Sequence, residues 1–308
     1  MPITLIVEPK TPPMSWENFC QKEKFSIALD GYVADGPKFN STGPHLNFNH
    51  HEAVSRLETR ATCAQVLMAI RQGLFRRFRD ANGPHATIYV NDCDEDVCTS
   101  WYLLNNSYIS SQIIDPLLNR LVFMEDMLDA TAGAYPFPPD LPSLKEMAWI
   151  FQPYRQFRTW GLDRKNADEY RGIITDVEHR IKMYLAGNAK QISLDTEYQR
   201  VGGGKDWALI QEVGAYAKTG AYADGIQAYI SFRERPNHRW TYTVGRMSIL
   251  IPFEVPKILQ HLNSLEGLEN SPDRWGGGDT IGGSPRVAGS KLSPLELQKA
   301  INSLLEKS

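Results

Sequence analysis

Apolar positions along the first half of the chain follow two different periods. Short strand-like runs fall at 3–7, 25–29, 87–90 and 119–123, with helical spacing between them. From about Ala61 to Phe78, Val66, Ile70 and Leu74 recur four residues apart, and Leu67, Phe75 and Phe78 widen the stripe. Thr59 or Thr62 offers that helix a side-chain cap. A second helix covers about 97–105, directly behind the acidic run Asp92-Cys93-Asp94-Glu95-Asp96. Alternation of this kind predicts an α/β fold.

The segment Tyr135-Pro136-Phe137-Pro138-Pro139-Asp140-Leu141-Pro142 breaks regular structure and marks the edge of a first domain, residues 1–145. A long amphipathic helix follows at about 163–186, with Tyr170, Ile173, Ile174, Val177, Ile181 and Leu185 on one side and Gly187 as its terminator. Residues 146–189 are therefore expected to form a helical linker, and 190–308 a smaller α/β domain. In that second domain Gly202-Gly203-Gly204 marks a turn, and 226–233 and 239–244 read as antiparallel strands. Pro256 starts a helix through Leu262, while Ser293, Pro294 and Glu296 form the capping box of a final helix. The glycine-rich stretch from Trp275 to Gly289 calls for a flexible linker or a loop wrapped closely around a ligand.

Composition adds limits to this picture. The 308 residues allow two ordinary domains, and 42% hydrophobic with 22% charged residues describes a globular chain. No apolar run approaches the ~18 residues of a bilayer span, so no membrane association is expected. The opening Met1–Glu8 has neither a basic start nor a full hydrophobic stretch, and reads as a first strand rather than a signal peptide. Cys20, Cys63, Cys93 and Cys98 show no regular framework, which fits a reduced, cytoplasmic setting. A net charge of −3 argues against a long duplex partner. Arg71, Arg76, Arg77 and Arg79 read as a solvated helix face, and small anionic substrates or short nucleic acids suit the balance better.

Three segments carry candidate chemistry. Asp30 ends the apolar strand Ser26-Ile27-Ala28-Leu29, and Asn47-Phe48-Asn49-His50-His51-Glu52 follows about twenty residues later, a spacing that returns the chain to the same sheet end. An adjacent histidine pair is by itself more often structural, but the carboxyl ends of strands are where ligands gather in α/β sheets. The acidic run at 92–96 places four carboxylates within five positions, whose mutual repulsion a divalent cation relieves. It lacks the glycine and the distal glutamate of an EF-hand. Asp126 and Asp129, three apart, share one helical face. Mixed imidazole and carboxylate donors suit manganese, iron or magnesium better than a closed structural zinc site.

Together these segments resemble the DHH phosphoesterase superfamily, over about residues 25–135 and again over 190–295. The resemblance implies a metal-bridging role for Asp30, a ligand role for His50 and a phosphate-facing catalytic role for His51, with Asn49 at the head of the motif. Ala61-Thr62-Cys63-Ala64 is similar to the small-residue helix start that follows. The acidic run resembles the family's Asp-x-Asp metal motif in two registers, Asp92 with Asp94 or Asp94 with Asp96, and Asp94 is common to both. Asp129, before Ala130-Thr131-Ala132-Gly133, looks like the last metal aspartate. Gly282-Gly283-Ser284-Pro285-Arg286-Val287-Ala288-Gly289 resembles the glycine loop of the family's associated substrate domain, which implies substrate contacts from Gly282, Gly283, Ser284 and Arg286, with Arg233 beside them. Three departures stand out: the order of the motifs is permuted, Asn49 and Ser284 replace an aspartate and a histidine, and the histidine before the Asp-x-Asp element is missing.

What the resemblance implies is an active site in a cleft between two domains, holding one or two manganese ions, or magnesium or cobalt. Such a centre hydrolyses a phosphoester or phosphoanhydride with metal-activated water, Arg286 and His51 stabilising phosphoryl charge. The substrate would be a small phosphorylated compound or a short nucleic acid. The alternative is a degenerate relative that binds a nucleotide or metal without hydrolysis. The 163–186 helix could pack within the chain or across a homodimer.

Overall fold

The structure is a computed structural model and describes residues 3–111, 115–131, 133, 135–158, 165–235 and 238–306. By its internal contacts the chain divides into two compact units, Met1–Ala130 with Pro142–Ile192, and Thr131–Leu141 with Ser193–Ser308. Each is sheet-based, so the fold class is α/β.

The first unit opens with β1 (Ile3–Val7), a single turn α1 (Trp16–Phe19), β2 (Ser26–Leu29), β3 (Lys38–Asn40) and β4 (His45–Phe48). Helices α2 (Thr62–Arg71) and α3 (Leu74–Arg77) and a short hairpin, β5 (Arg79–Asp80) and β6 (Gly83–Pro84), lead to β7 (Ala86–Val90). The sheet order is β1-β7-β2-β4-β3, parallel except for β3 at the edge. The chain moves outward from β2 to β3 and β4 and then crosses back over β2 to β7, so its direction through the sheet reverses after β4. Ligands gather outside the strand ends at such a reversal. All four β2 residues are buried, as a central parallel strand requires.

Helices α4 (Glu95–Asn105), α5 (Ser107–Ser110), α6 (Pro116–Ala130), α7 (Pro142–Ile150), α8 (Gln152–Arg158) and α9 (Ala167–Leu185) complete the unit. The strand expected at 119–123 is part of α6. Its apolar run is too short to separate the two periods, and the helical one wins: Leu118, Leu121, Val122 and Leu128 are buried while Phe123 faces out. The helix expected from Ala61 to Phe78 breaks into α2 and α3 at Gly73, whose φ of 100° no helix accommodates. Helix α9 begins with a capping box, Asn166 and Glu169, and ends at Gly187 with φ 75°. Its expected first residue, 163, lies outside the described residues. It packs on α4, α7 and α8 of its own unit. The buried Glu178 carboxylate on α9 accepts from Trp101 Nε1 at 2.9 Å, from Asn105 and Asn106, and from Lys182.

The second unit contains β8 (Tyr198–Gly203), β9 (Ala208–Glu212), α10 (Ala217–Ala223), β10 (Ala228–Arg235), β11 (Arg239–Arg246), α11 (Val255–Glu266), β12 (Gly276–Gly277), β13 (Ile281–Gly283) and α12 (Pro294–Leu305). The sheet order is β12-β13-β11-β10-β9-β8. One face, with Ala228, Ile230, Phe232, Tyr242 and Val244, packs under Leu259 and Leu262 of α11 and Leu297 and Ile301 of α12. Strands β10 and β11 pair antiparallel, and α12 carries the expected capping box. Within the glycine-rich stretch, Gly276–Gly277 and Ile281–Gly283 pair antiparallel as a hairpin at the sheet edge. A Cβ at Gly277 would lie 2.2 Å from the Gly282 Cα, so the close strand approach demands glycine there.

Candidate metal centre

Asp30 follows β2 directly. Its amide still bonds to Phe48 O at 2.9 Å, but its φ of 48° and the 79° of Gly31 turn the chain sharply away. A non-glycine residue in that region is strained, and the strain places the carboxylate over the strand end. The neighbouring strand β4 delivers Asn49, His50 and His51 to the same end. Asn49 is fully buried, and its carboxamide organises the loop. It donates to Val33 O, Asp35 O and Glu52 Oε2 at 3.2, 2.8 and 2.7 Å, and it accepts from the amides of His50 and His51. An aspartate could not make the three donor contacts. Asn49 is thus a structural residue of the loop rather than a group aimed at a ligand.

Four side chains converge beyond the loop. His50 Nε2 lies 2.7 Å from Asp129 Oδ2, 3.4 Å from Asp30 Oδ1 and 3.7 Å from Asp96 Oδ2. One donor atom from each of Asp30, His50, Asp96 and Asp129 falls within 4.8 Å of all the others, and Asp30, His50 and His51 make a second such group. His51 Nε2 is 2.9 Å from Asp30 Oδ1, which also accepts from Thr62 Oγ1 at 3.0 Å. Both ring nitrogens of His50 and Asp129 Oδ2 are buried without a hydrogen-bond partner among the described residues. Buried polar atoms are rarely left so. Three carboxylates and one imidazole form a hard, oxygen-rich donor set, a candidate site for a metal ion.

The start of α2 forms the wall of this cluster in an unusual way. Its N-cap is Ala61, which has no side chain to offer. Asp96 accepts from the amides of Thr62 and Cys63 at 2.7 and 2.6 Å instead, and Asp126 accepts from that of Ala61 at 2.7 Å. The cap expected from Thr59 or Thr62 is therefore supplied by α4 and α6, and Thr62 turns its hydroxyl to Asp30. Arg60 pairs with Asp126 at 3.0 Å. Arg56 donates to Asp129 O at 2.9 Å and contacts Nδ1 of His51.

Electrostatics follow from the crowding of acids. Burial and the Asp30 and Asp129 carboxylates push the Asp96 carboxyl up to about 8. Burial also works against charge on His50, but Asp129 and then Asp30 raise it to about 11. Burial is likewise outweighed at Asp30, where the proximity of His51 and His50 holds the carboxyl well below its ordinary range. His51 is raised, because Asp30 overcomes burial and the opposing charges of His50 and Arg56. The cluster is a place where positive charge is stabilised.

The acidic run is divided among different tasks. Only Asp96 joins the convergent group, so the register that pairs it with the strand end is the one in which a helical turn carries the ligand inward. Asp94, the safest residue by sequence, is the N-cap of α4 and accepts from Val97 N at 2.9 Å. Asp92 accepts from Cys93 N at 2.7 Å. Glu95 pairs with Arg155 of α8 at 3.2 Å, and Arg158 lies in the field of Asp92, Asp94 and Glu95. Arginines and backbone amides thus contact most of the run whose mutual repulsion a divalent cation was expected to relieve. Asp94 still feels Asp30 and Asp129, which with burial raise its carboxyl well above the ordinary value.

The structure brings together Asp30, His50, His51 and Asp129 of the expected residues, and adds Asp96, Arg56 and Thr62. Asp96 had a sequence signal as the alternative register; Arg56 had none beyond its place five residues after His51. The expected substrate contacts belong to the second unit. Arg233 Nε pairs with Glu212 at 2.7 Å. Gly282 and Gly283 lie in β13, Ser284 Oγ accepts from Tyr242 N at 3.0 Å, and Arg286 is exposed with its carbonyl held by Arg235. The four cysteines are unbridged. Among the described residues no helix is long and apolar enough to cross a membrane. Compared with known proteins, the chain matches no family model and no curated protein.

Proposed function

We propose that the protein is a divalent-metal-dependent phosphohydrolase acting on a small phosphorylated or oligonucleotide-type substrate, related to the DHH phosphoesterases. The observation that carries this reading is the convergence of Asp30, His50, Asp96 and Asp129 within 4.8 Å at the carboxyl ends of parallel strands. The permuted motifs support it: the same residue types meet although their order along the chain differs from the family's.

In this reading the four residues hold manganese, magnesium or cobalt. The ion supplies Lewis-acid charge to a phosphoryl oxygen and acidifies water. Asp30 is anchored for that task by Thr62 and His51. His51, whose side chain is 33% exposed, is the histidine open to substrate. Burial of Asp30, His50 and Asp96 keeps bulk water from competing with them. Arg233 and Arg286 are the proposed contacts for substrate anions, since guanidinium groups bind phosphate in bidentate fashion.

A second reading, binding without hydrolysis, is favoured by Asn49, whose carboxamide is committed to the loop rather than to a ligand. One experiment separates the two. Pyrophosphate, polyphosphate, and linear and cyclic dinucleotides are incubated with manganese, cobalt or magnesium, and calorimetry is run on the same compounds. Turnover that EDTA abolishes supports hydrolysis. Tight binding with the ligand recovered intact supports the binding module, and neither result with any ion removes both.

A further inference from the structure

Two overlapping donor groups share Asp30 and His50; His51 completes one, Asp96 and Asp129 the other. We propose that Arg56 is the positioning residue that decides between them, holding His51 as a hydrogen-bond donor so that His50 is the sole imidazole ligand. The proposal rests on the metal-centre reading above and gives it a definite ligand set.

The argument starts from what arginine cannot do. A guanidinium only donates, so its Nη2 contact with Nδ1 of His51 requires a bare lone pair on that nitrogen. The single proton of the neutral ring then sits on Nε2, where Asp30 Oδ1 accepts it at 2.9 Å. For Nε2 to bind a metal, the proton would have to move to Nδ1, pointing one donor at another. Arg56 cannot easily yield, because Nη1 is anchored on Asp129 O at 2.9 Å. A metal-bound histidine ordinarily gives its second N–H to a carboxylate or carbonyl. Arg56 presents the opposite polarity at His51. His50 is under no such constraint, since neither of its ring nitrogens is tied by a hydrogen bond among the described residues.

The test uses the full chain as wild type, Arg56→Lys and Arg56→Glu, in mildly alkaline buffer. In metal-free protein, 15N shifts report which nitrogen of His51 carries the proton. In manganese-loaded protein, electron spin-echo modulation counts coordinated imidazoles. Wild type and Arg56→Lys, which keeps a donor against Nδ1, give the Nε2–H form and one imidazole. Arg56→Glu accepts from Nδ1, reverses the tautomer and gives two. Arg56→Gln, whose carbonyl also accepts, serves if the glutamate unfolds the loop. A role confined to packing would not separate lysine from glutamate in this way. An Nδ1–H form or two imidazoles in wild type overturns the proposal, as does one imidazole in every variant. If wild type binds no manganese, the metal reading fails, while the nitrogen shifts still decide whether Arg56 sets the tautomer.

Discussion

Nε2 of His50 and Oδ2 of Asp129 stand 2.7 Å apart, yet neither has a hydrogen-bond partner among the described residues. Both residues belong to the four-residue group whose donor atoms lie within 4.8 Å of one another. Asp30 and Asp96 complete it.

Asp129→Asn and His50→Gln each remove one donor from that set. Each is expected to weaken manganese binding on the order of 100-fold, since even indirect partners of a metal ligand are worth 10–100-fold. Isothermal titration reads the change, and unaltered affinity in both variants would remove these residues from the centre.

Asp94 and Asp96 provide a contrast within one acidic run. Asp94→Ala deletes the α4 cap and should lower stability by about 1 kcal/mol with metal affinity little changed. Asp96→Asn should instead weaken metal binding on the order of 100-fold. Urea midpoints and metal titrations on the two variants check the division; the reverse pattern would restore the other register.

Asn49→Asp, the residue that heads the motif this segment resembles, should not create a better centre. The new carboxylate would face Val33 O, Asp35 O and Glu52 Oε2, three acceptors that Asn49 now satisfies. A loss of about 3 kcal/mol is expected from the stranded charge. Chemical unfolding measures it, and a variant as stable as wild type would show that the loop does not depend on the amide.

Glu178 gives the fold a pH signature away from the centre. Burial opposes its ionisation, but Lys182, Asn106 and Trp101 lower its carboxyl below the ordinary 4.5. A depressed folded value means stability that is complete above 4.5 and is lost as pH falls through the folded value. Glu178→Gln should therefore cost about 1–2 kcal/mol at neutral pH, and the gap should close as pH falls through the depressed folded value. Unfolding midpoints at pH 7 and in acid test the sign.

How far the sequence could be read depended on which physical signal each residue sent. Asp30, His50, His51 and Asp129 were legible because strand ends and a helix face give fixed addresses. Asp96 was harder, since a helix start turns adjacent acids in different directions and only the three-dimensional cap shows which one faces inward. Arg155 and Arg158 were invisible as partners of the acidic run because about sixty residues separate them from it. The run at 119–123 in α6 reads as a strand for want of length, and Gly73 ends α2 where the apolar stripe alone continues. Arg56 sent no periodic signal at all.

The borrowed caps of α2 bear on the order of folding. Asp96 and Asp126 lie 34 and 65 residues beyond the amides they hold. The first turn of α2 cannot close on local information, and its loop-closure entropy must be met before the caps form. A chain emerging from synthesis therefore completes α2 only after α6 has arrived. Asp96 takes its place against α2 at the same step, so the Asp/His cluster forms only once α2, α4 and α6 have met. Amide exchange at Thr62 and Cys63 should follow the global unfolding of that unit rather than the fraying of an ordinary helix end.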